Sequence, residues 1–344
     1  MVSIDEVARL AGVSTATVSR TLSGRGPVSA KMRERVEAAT RELGYVVSSR
    51  ASSLASGRTR NVGVVVPFLD RWFFSTVLSG VSSALMRRGY DITLYNITAD
   101  ESIREQVFST FLRRQRVDGL IAVSIELDEG ETGQLLELGL PVMAIGGPNP
   151  RLDTLTIDDE AVAQLATEHL IALGHRNIAH IGAGPEFDID FHIPSQRREG
   201  YEKALALAGI PLDPALHEEA DFTLDGGYRA ARQLLGRPGA RPTAIFAASD
   251  EVAVGAILAA RDLGLRVPED LSIIGIDGHE LGRSFQLTTV DQFPLRQGER
   301  AVEALLAKLN YADATPKPDH DHDHDHESLP FELVVRGTTA RVAE

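Results

Sequence analysis

No cysteine occurs among the 344 residues. Disulfides, thiolate metal sites, a cysteine nucleophile and thiol redox sensing are excluded together, and a reducing compartment suits such a chain. Aromatic residues make up only 6%, with a single tryptophan, Trp72. No apolar run approaches the roughly 20 residues that a membrane-spanning helix needs. The opening MVSIDEVARL carries two acids and no apolar core of a secretory leader. A cytoplasmic protein with no membrane segment is expected. Catalytic signatures are missing as well. There is no G-x-S-x-G, no Walker loop and no complete G-x-G-x-x-G, since GAGPE at Gly182 lacks the third glycine. The scattered His and Asp have no catalytic spacing, so the reading is a binding protein with no cofactor and not an enzyme.

What the chain has is length and an uneven distribution of charge. It is too long for one compact core, so two or three folding units are expected. The formal net charge is −14, yet residues 1–60 hold ten Lys or Arg against five Asp or Glu, a balance of +5 that leaves −19 for the remainder. A basic head on an acidic body points toward nucleic acid, because phosphate neutralisation supplies most non-specific affinity.

The head reads as short helices. SIDE at Ser3–Glu6 is a capping box that starts a helix at Ile4, with Val7 and Leu10 on its apolar side. Gly12 supplies a turn, and Ser14 caps a second helix to about Leu22, whose Val18 and Leu22 face inward with Val13. Thr15, Ala16, Ser19 and Arg20 fall on the opposite face. Two short helices crossing at a glycine turn fit a helix-turn-helix; from this stretch alone an ordinary helical hairpin remains open. Ser29 then caps a third helix with Met32, Val36, Ala39 and Leu43 at helical spacing, ending at Gly44. The serine-rich YVVSSRASSLASGRTR follows; residues 48–56 span barely two helical turns, marginal in water.

From Asn61 onward, short β-rich runs alternate with helical stretches, the pattern of parallel α/β sheets. NVGVVVP, DITLYNI, VDGLIAVSI and PVMAIG form one series of strands, and NIAHIG, TAIFAAS and LSIIGID a second. Helices are expected around 73–88, 163–173, 195–208 and 250–263. Two doubly wound halves follow, which bind ligands beyond the carboxyl ends of their strands.

Three spaced motifs, IDEVARLAGVSTATVSRTLSG, VSAKMRERVEAATRELGY and RASSLASGRTRNVGVVVP, resemble in order and register the DNA-binding head, hinge and first core strand of the LacI/GalR family of bacterial transcription regulators. ALGHRNIAHIG, QRREGY, AASDEVAVGA, LSIIGIDG and LTTVDQ resemble the family's core, so the likeness covers nearly the whole chain. It implies an all-α helix-turn-helix head (1–46) and a hinge helix (47–60), joined to an α/β two-lobed core similar to periplasmic sugar-binding proteins. One lobe would hold 61–158 and 291–315, the other 159–290 and 328–344, with an Asp/His-rich linker at 316–327.

The resemblance also assigns roles. Thr15 and Ala16 sit where recognition-helix residues select bases, with Ser19 on the same face, and Arg20 where a guanidinium meets a base edge. Leu54 sits where a leucine wedges into the minor groove. The chemistry is sound: Arg forks onto guanine, Thr and Ala offer methyls to thymine, and an apolar wedge kinks a base step. One departure is the Val46-Val47-Ser48 that follows Tyr45, where the family commonly has Pro-Asn; Ser48 can still cap the hinge helix. In the core, Asp277 and Arg197 match the family's ligand-binding carboxylate and arginine. Ser249 takes the place of a polar contact that is often Asn. Asp250 is either a helix cap or a ligand contact. From the residues themselves, PFLDRWFF puts Phe68, Trp72, Phe73 and Phe74 just beyond the first strand at the cleft; Phe68 and Trp72, with Phe222 on the other lobe, are placed to stack on a sugar, while at least one of Phe73 and Phe74 is expected to start the buried helix.

The implied function is a homodimeric or higher-order repressor of carbohydrate genes. A mono- or disaccharide between its lobes would release it from a near-palindromic operator. The alternatives are a regulator whose ligand, such as a purine, acts as corepressor, and a sugar-binding enzyme or transport protein on the same scaffold. One motif stands apart. PKPDHDHDHDHESLP alternates His320, His322, His324 and His326 with Asp, and alternate residues of a strand share a face at about 6 to 7 Å, which suits a metal. Bracketing prolines and low complexity favour a solvated linker without metal.

Overall fold

A computed structural model of the chain describes residues 2–23, 27–45, 58–97, 101–114, 116–184, 192–238, 241–314 and 324–342. Two compact units emerge, one of 1–61 with 116–118 and one of 62–115 with 119–344. Among the described residues, no helix is long and apolar enough to cross a membrane.

In the first unit, helix α1 (Ile4–Ala11) starts at a complete capping box: the Ser3 hydroxyl accepts from the Glu6 amide at 3.3 Å, and the Ser3 amide donates to the Glu6 carboxylate at 2.7 Å. Gly12 turns the chain at φ +62°, and its carbonyl accepts from Arg35 Nη2 at 3.3 Å. Helix α2 (Thr15–Ser23) follows Ser14, whose Oγ accepts from the Thr17 amide at 3.2 Å. Helix α3 (Ala30–Leu43) is capped by Ser29 and ends at Gly44 in the left-handed region. Val7, Ala8, Ala11, Val18, Val36 and Ala39 form the core of this unit. Leu10, on the apolar side of α1, and Met32, at helical spacing with Val36 on α3, are 46% and 44% exposed. The buried stripe of α1 runs through Val7, Ala8 and Ala11 and leaves Leu10 on its flank, while Met32 lies a turn before the buried Val36.

The second unit holds two sheets. Strands Asn61–Val66 (β1), Asp91–Asn96 (β2), Gly119–Val123 (β3), Val142–Gly146 (β4) and Asp153–Thr156 (β5) alternate with helices Trp72–Arg87 (α4), Glu101–Gln106 (α5) and Glu129–Glu137 (α6). Next come helix Asp159–Ala172 (α7), strand Ile178–Gly182 (β6), helix Ile193–Leu207 (α8), strand His217–Glu219 (β7), helix Leu224–Gly236 (α9), strand Ala244–Ala247 (β8), helix Asp250–Asp262 (α10), strand Ser272–Asp277 (β9), the short helix Gly282–Phe285 (α11) and strand Thr288–Asp291 (β10). Helix Pro294–Ala314 (α12) and strands His326–Ser328 (β11) and Glu332–Val334 (β12) close the chain. The first sheet runs β11-β5-β4-β3-β1-β2 and the second β12-β10-β9-β8-β6-β7. β12 pairs antiparallel with β10, whereas β1, β3, β4, β5 and β11 pair in parallel.

β1, β3, β6, β8 and β9 are buried along almost their whole length, as strands covered by helices on both faces must be. The chain passes between the sheets after β5, after β10 and between β11 and β12, so each lobe is built from separated segments. The Asp/His-rich linker is shorter than expected at its end. His326–Ser328 is a strand parallel to β5, and Leu329 joins the first lobe's core. A three-residue strand inside a repetitive polar run leaves no hydrophobic period to read.

Candidate functional site

Helix α2 offers one face to the core and one to solvent. Val18 and Thr21 are buried, and Thr15, Ala16, Ser19 and Arg20 are all exposed on the other side. Leu54 and residues 46–57 lie outside the described residues. At the end of the expected hinge, the Asp118 carboxylate accepts from the amides of Thr59 and Arg60, both at 2.7 Å, and from the Thr59 hydroxyl at 2.8 Å.

The second unit has a cleft at the carboxyl ends of both sheets, where open α/β sheets bind ligands. It encloses about 890 Å³ with its mouth included, within the range of small-molecule sites. Phe68, Ser124, Gly146 and Ile157 reach it from strand ends of the first lobe; Ser249 and Asp277 do so from the second. Several of these positions are conformationally unusual. Ser124, Phe222 and Asp277 have φ of +45°, +54° and +122°, costly for residues with a Cβ. Backbone strain of this kind clusters at ligand sites.

Arg197, on α8, is the hub of the floor. Its Nε donates to Asp159 Oδ1 at 2.7 Å, its Nη1 donates to the Ala248 carbonyl at 2.5 Å, and Nη1 lies 3.8 Å from Asp277 Oδ1. Gln292 Nε2 donates to Asp277 Oδ1 at 2.9 Å, and Gln297 Nε2 holds the Gln292 carbonyl at 2.8 Å. Burial pushes the Asp277 carboxyl up to about 7, against the pull of Arg197. Burial also raises Asp159, again opposed by Arg197. One cation thus serves two buried carboxyls, and the site holds a proton readily near neutrality.

Four of the expected cleft residues line it with Arg197: Phe68, Phe222, Ser249 and Asp277. Ser249 is also the cap of α10, its Oγ accepting from the Val252 amide at 3.3 Å. The cap is therefore Ser249 and not Asp250, which is not among the lining residues. It is fully buried and accepts from the His279 amide at 2.7 Å, anchoring the turn after β9. Trp72 is not among these lining residues; its ring stacks on His279 with centroids 4.2 Å apart. Phe73 and Phe74, the next two residues, line the cleft in its stead.

Sequence reasoning missed Arg71, Asp159, Asp221, Glu251, Gln292 and Gln297. The strand-end rule would have found Ser124 and Gly146, which follow or end apolar runs. Of the histidine run, His320 and His322 lie outside the described residues. His324 Nδ1 is 3.7 Å from Asp153 Oδ1, and His326 Nδ1 is 2.8 Å from the Thr154 hydroxyl. Among the described residues no group of three His, Cys, Asp or Glu is placed to hold a metal.

Two family models match the sequence: bacterial regulatory proteins of the lacI family over residues 3–48, and the periplasmic binding protein-like domain over 167–339. The HTH-type transcriptional repressor PurR of Haemophilus influenzae (strain PittEE) is 34% identical over 318 residues, covering 91% of this chain and 93% of that protein. The chain belongs to the lacI family. As a lacI-family protein it is a DNA-binding transcriptional regulator and not an enzyme. Catabolite control protein A of Priestia megaterium is 35% identical, with 90% of this chain and 93% of that one covered. Among solved structures, the lac repressor dimer bound to operator and the anti-inducer ONPF superposes with a TM-score of 0.82 at 29% identity, over 98% of this chain and 99% of that one. The transcriptional regulator CelR–cellobiose complex gives 0.69 at 31%, over 98% and 100%. The lacI-family head and the two-sheet core are therefore those expected from the sequence.

Proposed function

We propose that this regulator is a cytoplasmic, homodimeric repressor that a mono- or disaccharide, bound in the cleft, releases from a near-palindromic operator. The observation that carries the reading is the cleft itself: a polar floor of Arg197 and Asp277 within walls that include Phe68, Phe73, Phe74 and Phe222. A sugar presents hydroxyls at its edge and C–H groups on its faces. The ionised Asp277 can accept from neighbouring hydroxyls, the Arg197 fork can donate to ring or hydroxyl oxygens, and phenyl rings cover the faces. Arg71 and Arg197 face Asp159, Asp221, Glu251 and Asp277 in the lining, so phosphorylated effectors are disfavoured. A solved relative bound to cellobiose supports a saccharide, and relatives described as repressors support repression.

On DNA, Arg20 reads a base edge while Thr15, Ala16 and Ser19 give small contacts beside it. A dimer sets two such helices in successive major grooves. Fluorescence anisotropy on an operator, with mono- and disaccharides and with free purine bases as the contrast, tests this. Release by a sugar is expected. Tighter binding with sugar would reverse the sign to corepression, and a response to purines alone would overturn the saccharide.

A further inference from the structure

Trp72 opens helix α4 of the first lobe, and His279 follows strand β9 of the second. Their rings are nevertheless stacked, with centroids 4.2 Å apart and planes 20° from parallel. His279 is held firmly on its own side. It is 7% exposed, its amide donates to Asp250 at 2.7 Å, and its Nδ1 accepts from the Leu281 amide at 3.0 Å. The ring therefore presents a fixed platform, and the indole is the part that comes to it.

The residue before Trp72 repeats the crossing with charge. Burial raises the Glu251 carboxyl of the second lobe, and Arg71, also from the first lobe, pulls it back together with the Trp72 amide; at Asp221 the Thr223 hydroxyl and amide outweigh burial and hold the carboxyl low, with Arg71 adding to their pull. Arg71, Asp221 and Glu251 all line the cleft, so the two kinds of contact adjoin its mouth.

We propose that the Trp72–His279 stack, together with Arg71 facing Asp221 and Glu251, is a clasp that holds the two lobes closed over the cleft without effector. An aromatic pair of this kind is worth about a two- to tenfold change in a closed-to-open ratio. The clasp then sets how often the cleft opens. Only this consequence for effector exchange rests on the cleft being the effector site; the clasp does not.

Trp72 is the only tryptophan, so fluorescence excited at the red edge, where the six tyrosines do not absorb, reports on it alone. Acrylamide quenching of the ligand-free protein should be weak. His279→Ala, which keeps the amide bonded to Asp250, should raise the quenching constant at least twofold. His279→Phe should restore shielding, because a stacked ring returns. Asp221→Asn with Glu251→Gln leaves both rings in place and should still raise the constant by opening the lobes. An unchanged far-UV circular dichroism spectrum confirms folding in each case. Trp72 as accessible as a free indole in the parent protein, or no change in the Asp221/Glu251 double variant, would overturn the clasp. A failure of the saccharide reading would leave these quenching results as they are.

Discussion

Asp277 concentrates most of what the cleft does into one side chain. It ends β9 at φ +122°, accepts from Gln292 and lies 3.8 Å from Arg197, and burial holds its carboxyl up to about 7. A carboxyl with a raised folded pKa adds stability that is complete below its unfolded value and lost as pH rises through the folded one. Asp277→Asn should therefore gain on the parent between about pH 4 and 7, by at most about 1.4 kcal/mol per unit, and the gain should level off above that. Urea unfolding at a series of pH values reads this directly. Saccharide binding should move the opposite way: the proton competes with hydroxyls for the carboxylate, so affinity in the parent should climb through neutrality while the Asn variant stays weak and flat. An affinity that fell with rising pH would take Asp277 out of the ligand contacts. On the head, Arg20 is the exposed residue of α2 with the richest donor set. Arg20→Ala should cost about 1 to 3 kcal/mol on the operator and leave effector binding intact. An equal loss on random DNA would mean that Arg20 meets phosphate only.

Helices in the core pair through their backbones. A Cβ on Gly255 of α10 would fall 2.2 Å from the Leu224 carbonyl, and one on Gly227 of α9 would fall 2.4 Å from the Val252 carbonyl. Since α10 carries Ser249 at its cap and Glu251 in its first turn, Gly255→Ala should cost about 1 to 3 kcal/mol in urea unfolding and weaken effector binding along with it. Unchanged stability would mean the pair can separate freely. Element order was legible because buried parallel strands and their crossover helices each have a distinct period; capping residues such as Ser3, Ser29 and Gly44 marked the ends. Partnerships between elements were not. Nothing around Trp72 announces His279, because the pairing depends on how two lobes meet and not on local pattern. Asp159 reads as an ordinary first-turn acid until Arg197 is brought against it. Leu10 shows the same limit in the head: a helical period identifies an apolar side, and the neighbouring helices decide which part of it is covered.

Across the whole chain, charge and hydrophobic cores divide at the same place. Residues 1–60 carry +5 and the remainder −19, and the small core of Val7, Ala8, Ala11, Val18, Val36 and Ala39 shares no residue with the four clusters of the body. That division was legible in composition, since basic residues gather where DNA is bound and acidic ones elsewhere. A unit of about 60 residues buries proportionately less surface than one of about 280 and is correspondingly marginal. Unfolding of the free protein should then be biphasic, the first unit melting at lower urea, followed by far-UV circular dichroism for the first phase and Trp72 fluorescence for the second. Operator DNA should shift only the earlier phase and a cleft ligand only the later, because each binds one folded unit. Raising salt should remove the DNA-induced shift steeply, as released counterions dominate a +5 surface, and leave the ligand-induced shift in place. A single transition moved equally by both ligands would show that the units fold as one, and the division seen in charge and core would then carry no thermodynamic weight.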